Sequence, residues 1–162
     1  EGLCGRTLAA EEPTKPHRTG ITHLQAIVES ADPVDAIIIM LGTNDIKTTY
    51  NLTPNKIADH LSQTVEFIKN MQGLENNPKI LIACPPPVII PQTNDLDSRM
   101  IPGLEAFKVL PNLYKEVAQK HSCSFINAGD HISSSKIDGY HLDADGHLKL
   151  ARVFGEWVKG NV

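Results

Sequence analysis

The sequence predicts an α/β protein in which helices cover both faces of a central parallel sheet, forming a three-layer α/β/α sandwich. Three observations predict this fold. Short apolar runs alternate along the chain with segments whose apolar residues recur at helical spacing. The run Ala36 to Asp45, AIIIMLGTND, is apolar until it reaches a glycine and a polar cluster. Neither an internal repeat nor a change in composition divides the 162 residues, so we expect one domain over 1–162.

The run Ala36 to Asp45 predicts a central strand and the wall of a site. A strand that is apolar and rich in β-branched residues is typical of burial on both faces of a parallel sheet. In such sheets, ligands bind just beyond the carboxyl ends of the strands. We therefore expect Gly42 to Asp45 at the active site, with Thr43 and Asp45 in contact with substrate.

The segments that precede this strand are expected to be short. Glu1 to Thr7 suggests the end of a strand and the loop after it. Leu8 to Thr19, which includes Pro13, suggests a surface loop. A helix is expected over Gly20 to Ser30, because apolar side chains recur there on one face.

Strands and helices continue to alternate after the central strand. Thr53-Pro54 is an N-cap followed by a proline at the first helical position, and Gly73 should end that helix. Two short buried strands are expected at Lys79–Ala83 and Ser124–Ala128, with a long loop at Val88–Gly103 between them. A helix is expected over Leu104–His121, where Pro111 either starts a fresh helix or kinks this one, and a final amphipathic helix over Asp145–Lys159. Prolines must end the first of these strands, so we expect Pro86 and Val88 to shape the substrate pocket or, equally, an interface.

Asp138-Gly139-Tyr140-His141 lies between the third strand and the last helix and carries a pair suited to acid–base catalysis. A carboxylate bound to one imidazole nitrogen fixes the tautomer and stabilises the imidazolium, so the other nitrogen can accept a proton. Asp-x-x-His is most often structural, but this one follows a strand at the edge where Gly42 to Asp45 should lie. We therefore predict His141 as a general base and Asp138 as its orienting partner.

Two groups are candidates for stabilising an oxyanion. The side-chain amide of Asn44 comes directly after the central strand, although asparagine there could equally hydrogen-bond its own turn. Gly5 offers a backbone N–H that no side chain obstructs, although a tight turn explains a glycine as well.

Three blocks of the sequence, in order, resemble the SGNH hydrolases, the GDSL-type esterases: Glu1–Thr7, Leu41–Asp45 and Asp138–His141. Their EGL-x-x-R-T and MLGTND stretches are similar to those of small arylesterases and acyltransferases, and the resemblance covers essentially the whole chain. It implies a flavodoxin-like fold and a serine acyl-enzyme that needs no cofactor and no metal. It also implies His141 as the base, Asp138 as its partner, and Gly5 and Asn44 as oxyanion donors.

The nucleophile block of these hydrolases, Gly-Asp-Ser, does not occur in this sequence. Because Glu1 is not a methionine and begins inside an expected strand, we expect that a first βαβ unit carrying the serine is missing upstream. A second chain that supplies this segment, or a non-catalytic member of the superfamily, would also explain the absence. Cys4 fits less well as a substitute nucleophile, because it follows the wrong strand.

The expected function is hydrolysis or transfer of short acyl groups from small carboxylic esters. A non-catalytic ligand-binding domain is one alternative, and a carbohydrate deacetylase of the same superfamily is another. His141, Asp143, Asp145 and His147 alternate as metal ligands can, but a helix cap at Asp143 or Asp145 explains the acidic residues more simply, and no metal is expected.

Composition excludes several other classes of function. A net charge of −4 and a pI near 6.0 provide no basic surface for nucleic acid. No apolar run is long enough for a membrane span, and no signal peptide is evident, although a removed leader stays open. Three cysteines without metal-type spacing favour free thiols and a cytoplasmic location. The sequence leaves a homo-oligomer open.

Overall fold

A computed structural model of the chain describes residues 2–12 and 14–162. Glu1, which was expected near the end of a strand, and Pro13, in the expected surface loop, lie outside the described residues. The description below refers to the remaining residues throughout.

The strands form a parallel sheet in which spatial order follows chain order, β1-β2-β3. They span Ala36–Ile39, Lys79–Cys84 and Ser124–Asn127. Ala36 of β1 pairs with Lys79 of β2, and Leu81 of β2 pairs with Ser124 of β3. The three strands begin at the predicted residues, because each contains a short apolar run that can be recognised without a distant partner.

Helices connect and flank these strands. The α-helices of the described residues are α1 at Gly20–Ala31, α2 at Pro54–Lys69, α3 at Leu110–Lys120 and α4 at Ala144–Asn161. Short 3₁₀ turns span Pro16–Arg18, Ile101–Lys108 and Ala128–Asp130. The alternation of strands and helices gives the α/β class that the sequence predicted.

Local sequence signals determine where two helices begin. The Thr53 hydroxyl accepts the backbone N–H of Lys56 at 3.2 Å, so Thr53 is the N-cap of α2 and Pro54 is its first residue, as predicted. Pro111 lies in the first turn of α3, so it starts a fresh helix instead of kinking a longer one. The residues before it, Ile101–Lys108, form a separate 3₁₀ helix.

One face of the sheet supports the larger core. Side chains of a strand alternate between faces, and those at Ile37 and Ile39 of β1 and at Ile80 and Ile82 of β2 all point to this face. Helices α2 and α3 pack on it through a buried cluster of apolar residues: Ile57, Leu61, Val65, Ile68, Leu110, Tyr114 and Val117. Helical spacing predicts Ile57, Leu61, Val65 and Ile68 on one face of α2, and all four side chains are buried.

The opposite face carries α4 and completes the third layer. Leu150 of α4 packs with Ala128 and Ile132, and Met40 and Phe154 lie against this smaller cluster. Helical spacing in the segment Asp145–Lys159 predicts Leu148 and Phe154 on one apolar face of α4, yet the Leu148 side chain is 52% exposed. Leu150 takes the buried position instead: it is 5% exposed and belongs to the cluster with Ala128 and Ile132.

The outer side of β1 differs from the expectation of a central strand. Among the described residues β1 pairs only with β2, and Ile38 on its α4 face is 36% exposed. A groove of about 430 Å³ runs along β1 between α1 and α4, and its walls are mostly apolar: Leu24, Ile27, Val28, Ile38, Met40 and Phe154. Within the described part of the chain, β1 is therefore an edge strand and is not buried on both faces.

The segment before α1 is a structured loop. Thr7 forms an isolated parallel bridge with Thr19, and residues 2–12 contain no regular strand. Thr7, Leu8 and Thr19 are all buried, so the beginning and end of the expected surface loop are parts of the core. Leu8 and Thr7 bind this loop to the rest of the fold.

Candidate active site

Parallel strands bring several loops to one edge of the sheet. Gly42–Asp45 follows β1, Pro85–Val88 follows β2 and Asp138–His141 lies between β3 and α4. Because the strands run in the same direction, these segments leave the sheet at a shared carboxyl edge. The first loop of the chain joins them, since Arg6 and Leu8 hydrogen-bond to residues after β1.

The Asp138–His141 turn holds an imidazole against a carboxylate. His141 Nδ1 and Asp138 Oδ2 are 2.6 Å apart. Asp138 Oδ1 accepts the backbone N–H groups of Tyr140 at 3.1 Å and of His141 at 3.0 Å. Hydrogen bonds within a single turn thus fix both oxygens of the carboxylate. The His141 side chain is 63% exposed, which leaves the ring accessible to a reacting molecule.

Asp138 is ionised at neutral pH. Burial tends to raise its pKa, but hydrogen bonds from the His141 side chain and from the backbone of His141 and Tyr140 outweigh burial and hold the pKa below the ordinary 3.8. An ionised carboxylate at Nδ1 favours the tautomer with the proton on Nδ1, and it stabilises the imidazolium. The geometry can therefore support a general base at Nε2 of His141.

Gly139 allows this turn to form. Its φ is 86°, in the left-handed region that favours glycine. A Cβ at this position would also overlap the carbonyl oxygen of Ile89. The Ile89 N–H donates to the Gly139 carbonyl at 2.9 Å, so the loop after β2 supports the turn that carries His141.

The first loop of the chain lies at the same edge of the sheet as this turn. Asn44, which follows β1, donates its side-chain N–H to the carbonyl oxygen of Arg6 at 3.0 Å, and this bond holds the first loop at the carboxyl edge of the sheet. In the turn itself, burial raises the pKa of the Tyr140 hydroxyl above its ordinary 10.0, and the negative charge of Asp138 raises it further.

Asn44 has one side-chain N–H that makes no hydrogen bond to the described residues. Its Nδ2 donates to the carbonyl oxygen of Arg6 at 3.0 Å, and its Oδ1 accepts a hydrogen bond from Lys47 Nζ at 2.7 Å. A side-chain amide has two N–H donors. Among the described residues no acceptor is recorded for the second one, which can therefore donate to a developing oxyanion.

Gly5 also presents a free backbone donor within the described part of the chain. Its N–H has no recorded protein acceptor, whereas the next N–H, that of Arg6, donates to the Leu3 carbonyl at 2.9 Å. Gly5 has φ of 80°, and the nearest atom to an added Cβ would be Arg18 Cδ at 3.9 Å. Backbone conformation, and not crowding, thus requires glycine here.

Asp45 does not have the position that the sequence analysis expected. It is fully buried, and both of its carboxylate oxygens accept the backbone N–H of Leu8, at 3.1 and 3.2 Å. Burial raises its pKa to about 7, although hydrogen bonds from Leu8 and from its own backbone and the charge of Lys47 oppose the rise. The prediction that Asp45 contacts substrate is therefore wrong in this structure, because the side chain has no exposed surface.

Pro86 and Val88 are also less accessible than expected. Both are buried, and Val88, at 6% exposure, belongs to the main core. Buried side chains of this kind do not form the open wall of a pocket. Thr43 is half-buried and retains surface at the site edge, so its contact with substrate stays a prediction.

Lys47 is a polar residue of this site that the sequence analysis missed. It follows Asn44 by three residues, and its backbone N–H donates to the Asn44 carbonyl at 3.2 Å. Burial lowers the pKa of Lys47 from its ordinary 10.5, as does the nearby cation of Arg99, while Asp97 and Glu12 oppose this effect. The spacing of three residues between Asn44 and Lys47, within one turn, was the signal in the sequence that could have predicted their contact.

Two of the three serines that precede the turn, Ser134 and Ser135, are engaged in other contacts. Ser134 Oγ donates to the Pro87 carbonyl at 2.8 Å, and Ser135 Oγ accepts the Ile137 N–H at 3.1 Å. Both serines are buried. No serine hydroxyl in the described ranges hydrogen-bonds to the His141 ring, whose recorded side-chain partner is Asp138.

Asp143 is the N-cap of α4, because its Oδ1 accepts the Gly146 N–H at 2.8 Å. This settles the alternative between Asp143 and Asp145 as the capping residue. Across residues 2–12 and 14–162, no group of three or more His, Cys, Asp or Glu side chains is arranged to hold a metal ion. The helices of these same ranges include none with the length and apolar character needed to cross a membrane.

Comparison with known proteins identifies the family. Residues 2–149 match the model of the GDSL-like lipase/acylhydrolase family. Among curated proteins, none matches this sequence. The match spans most of the chain and includes the loops at the carboxyl edge of the sheet. The chain therefore belongs to the GDSL-like lipase/acylhydrolase family.

Solved structures agree with this assignment. A carbohydrate acetylesterase from Sinorhizobium meliloti, Est24, is 34% identical, with a TM-score of 0.91 over 99% of this chain and 76% of the other. The native aryl esterase of M. smegmatis is 30% identical, with a TM-score of 0.91 over 100% of this chain and 77% of the other. The chain is accordingly a carboxylic ester hydrolase of the SGNH type, and the predicted α/β sandwich is confirmed.

Proposed function

We propose that this protein hydrolyses short acyl esters of small alcohols through a serine acyl-enzyme in which His141 is the general base. The observation that carries this proposal is the 2.6 Å hydrogen bond between His141 Nδ1 and an ionised Asp138, on a ring that remains accessible. A base of this kind needs a nucleophile within hydrogen-bond reach of Nε2.

The serine is supplied by a segment outside residues 1–162. The Gly-Asp-Ser block is absent from the sequence, and in the described part of the chain β1 has an unpaired outer edge beside an apolar groove. A parallel strand added at this edge would end beside Gly42–Asp45, at the same end of the sheet as His141. An apolar strand edge of this kind is a surface that proteins normally cover.

Each step of the reaction has a candidate group. The serine hydroxyl attacks the ester carbonyl while its proton passes to His141 Nε2, and Asp138 stabilises the imidazolium. The free N–H of Asn44 and the backbone N–H of Gly5 donate to the oxyanion. His141 then gives the proton to the departing alkoxide, and water repeats the sequence to release the acid. A second alcohol in place of water would give acyl transfer.

Labelling of the full-length protein with a fluorophosphonate, followed by peptide mass mapping, tests this proposal. The expected result is a single labelled serine on a peptide outside residues 1–162. A label on a serine within this sequence, or on Cys4, would overturn the assignment of the nucleophile. Absence of label on folded full-length protein would favour the non-catalytic binding domain.

Acetylated carbohydrate is the second candidate substrate. It is favoured by the 34% identity to the S. meliloti carbohydrate acetylesterase, against 30% to the aryl esterase of M. smegmatis. Measurement of kcat/KM with p-nitrophenyl acetate and with an acetylated sugar separates the two. A clear preference for the sugar ester would identify a carbohydrate deacetylase, and a clear preference for the aryl ester would support the first proposal.

A further inference from the structure

The amide of Asn44 can work as an oxyanion donor only in one of its two orientations. In the observed orientation Nδ2 donates to the Arg6 carbonyl and keeps a second N–H free. A rotation of 180° about the last side-chain bond would exchange the amide oxygen and nitrogen. The Asn44 amide oxygen would then face the Arg6 carbonyl oxygen, and the free N–H would no longer point toward the site.

Lys47 opposes this rotation. Its ammonium group has three donors and no acceptor, and one of them is directed at Asn44 Oδ1 at 2.7 Å. After a rotation, the ammonium group would face the amide NH₂, so two donors would meet at Lys47 while two acceptors met at Arg6. Both contacts would be repulsive, and the orientation with a free N–H is therefore the one that satisfies both neighbours.

The hydrogen bond from the Lys47 ammonium group to the Asn44 amide oxygen also makes the N–H groups of the same amide stronger hydrogen-bond donors. A charged donor withdraws electron density from the C–N unit, so the N–H groups become better donors, and hydrogen bonds in a chain polarise one another. Lys47 is half-buried, and this interaction is less screened than it would be at an exposed surface.

We propose that Lys47 is a positioning residue that fixes the amide orientation of Asn44 and strengthens its free N–H toward the reacting carbonyl. This inference rests on the proposed role of Asn44 as an oxyanion donor. Lys47 itself does not contact the substrate: it acts through the Asn44 amide oxygen.

The kinetic test compares Lys47→Met with Lys47→Arg in the full-length enzyme, with p-nitrophenyl acetate as substrate. Met retains the length of the apolar stem without a donor, whereas Arg restores a cationic donor. We expect kcat to fall about tenfold in Lys47→Met with KM nearly unchanged, which is less than the 10²–10³ typical for loss of the oxyanion donor itself. Lys47→Arg should recover most of kcat. Lys56→Met, at an exposed position of α2, is the matched control and should leave kcat unchanged.

A double-mutant cycle separates this role from a merely structural one. On an Asn44→Ala background, Lys47→Met should have no further effect on kcat, because the group through which Lys47 acts is gone. An equal tenfold loss on both backgrounds would overturn the proposal. If Asn44→Ala itself leaves kcat unchanged, the oxyanion role of Asn44 fails, and the proposed function needs another donor.

Nuclear magnetic resonance tests the positioning independently of turnover. The two side-chain N–H signals of Asn44 should shift in Lys47→Met and return toward the wild-type positions in Lys47→Arg. Signals of the other asparagine side chains, such as Asn161, serve as the internal control. Asn44 signals that are identical in all three proteins would show that Lys47 does not orient the amide, whatever the kinetics.

Discussion

The carboxylate of Asp45 accepts the backbone N–H of Leu8 with both of its oxygens, at 3.1 and 3.2 Å. These two residues lie in different loops: Leu8 follows Gly5, and Asp45 follows Asn44. The bond therefore joins the two segments that carry the proposed oxyanion donors. Because Asp45 is fully buried and its pKa is raised to about 7, this connection is sensitive to pH.

Stability is expected to decrease as pH rises toward 7 because of Asp45. Its pKa is about 7 in the folded protein, against an ordinary 3.8, so between these values the folded state holds a proton that the unfolded chain releases. The contribution is complete below about pH 4 and is lost as pH rises to about 7. Asp45→Asn keeps an acceptor for Leu8 and cannot titrate, so its stability should lack this slope.

Urea unfolding at several pH values measures this effect. The free energy of unfolding of the wild type, relative to that of Asp45→Asn, should fall by roughly 2 kcal/mol between pH 5 and pH 7. Asp59→Asn, at an exposed position of α2, should leave the slope unchanged. Parallel curves for wild type and Asp45→Asn would mean that Asp45 is ionised in the folded protein.

Replacement of His141 should remove nearly all turnover. In His141→Ala of the full-length enzyme, kcat should fall by about 10³-fold, within the range typical for loss of a general base. His147→Ala is the matched control, since His147 is an exposed histidine in the first turn of α4. Measurement of p-nitrophenyl acetate hydrolysis decides the matter, and an unchanged rate in His141→Ala would require another base.

Asp138→Asn should inactivate the enzyme through the tautomer of His141. Asp138 Oδ1 accepts two backbone N–H groups, so the amide oxygen of the variant should take that place and turn its NH₂ toward Nδ1. The proton of the ring then moves to Nε2, which can no longer accept one from the serine, and kcat should fall by about 10³–10⁴.

Two measurements check this prediction. The ¹⁵N shifts of the His141 ring should report a change from the Nδ1–H to the Nε2–H tautomer in Asp138→Asn. Asp145→Asn, which removes an exposed carboxylate from the first turn of α4, should alter neither the tautomer nor kcat. Full activity in Asp138→Asn would show that the orienting partner is not needed.

Gly42 should tolerate no side chain. Its φ is 123°, and an added Cβ would overlap the hydroxyl oxygen of Tyr114, which donates to the Leu41 carbonyl at 2.9 Å. Because Tyr114 is fully buried, it cannot move aside, and Gly42→Ala should lower the free energy of unfolding by about 3 kcal/mol. Gly155→Ala meets open space inside α4 and should instead raise it by about 0.5–1 kcal/mol. Urea unfolding of both variants measures these opposite changes in the free energy of unfolding. If Gly42→Ala does not destabilise the protein, neither the backbone conformation nor the contact with Tyr114 requires glycine here.

The fold could be predicted where the signal was local. The strands at Ala36, Lys79 and Ser124 each contain a short apolar run, and the N-cap at Thr53 lies next to the helix that it begins. The Asp138–His141 pair was found for the same reason, because both side chains belong to one turn. In each case a few neighbouring residues determine the structure.

The features that could not be predicted depend on residues far apart in sequence. Asp45 is buried because the N–H of Leu8, which precedes it by 37 residues, is directed at it. Asn44 is held by a carbonyl 38 residues earlier, at Arg6. In α4, helical spacing alone allows either Leu148 or Leu150 to face the sheet, and the cluster at Ile132 decides in favour of Leu150. Such pairings appear only when the chain has folded.

The short distance between His141 and α4 has a mechanical consequence. The N-cap Asp143 comes two residues after His141, and the helix that follows is anchored on the sheet by Leu150 and Phe154. A displacement of α4 is therefore expected to displace the imidazole of His141 as well. A core substitution at Leu150 that tilts the helix would misalign the His141 ring without changing any reacting group. The apolar contacts beneath α4 therefore help to set the position of the general base relative to the sheet.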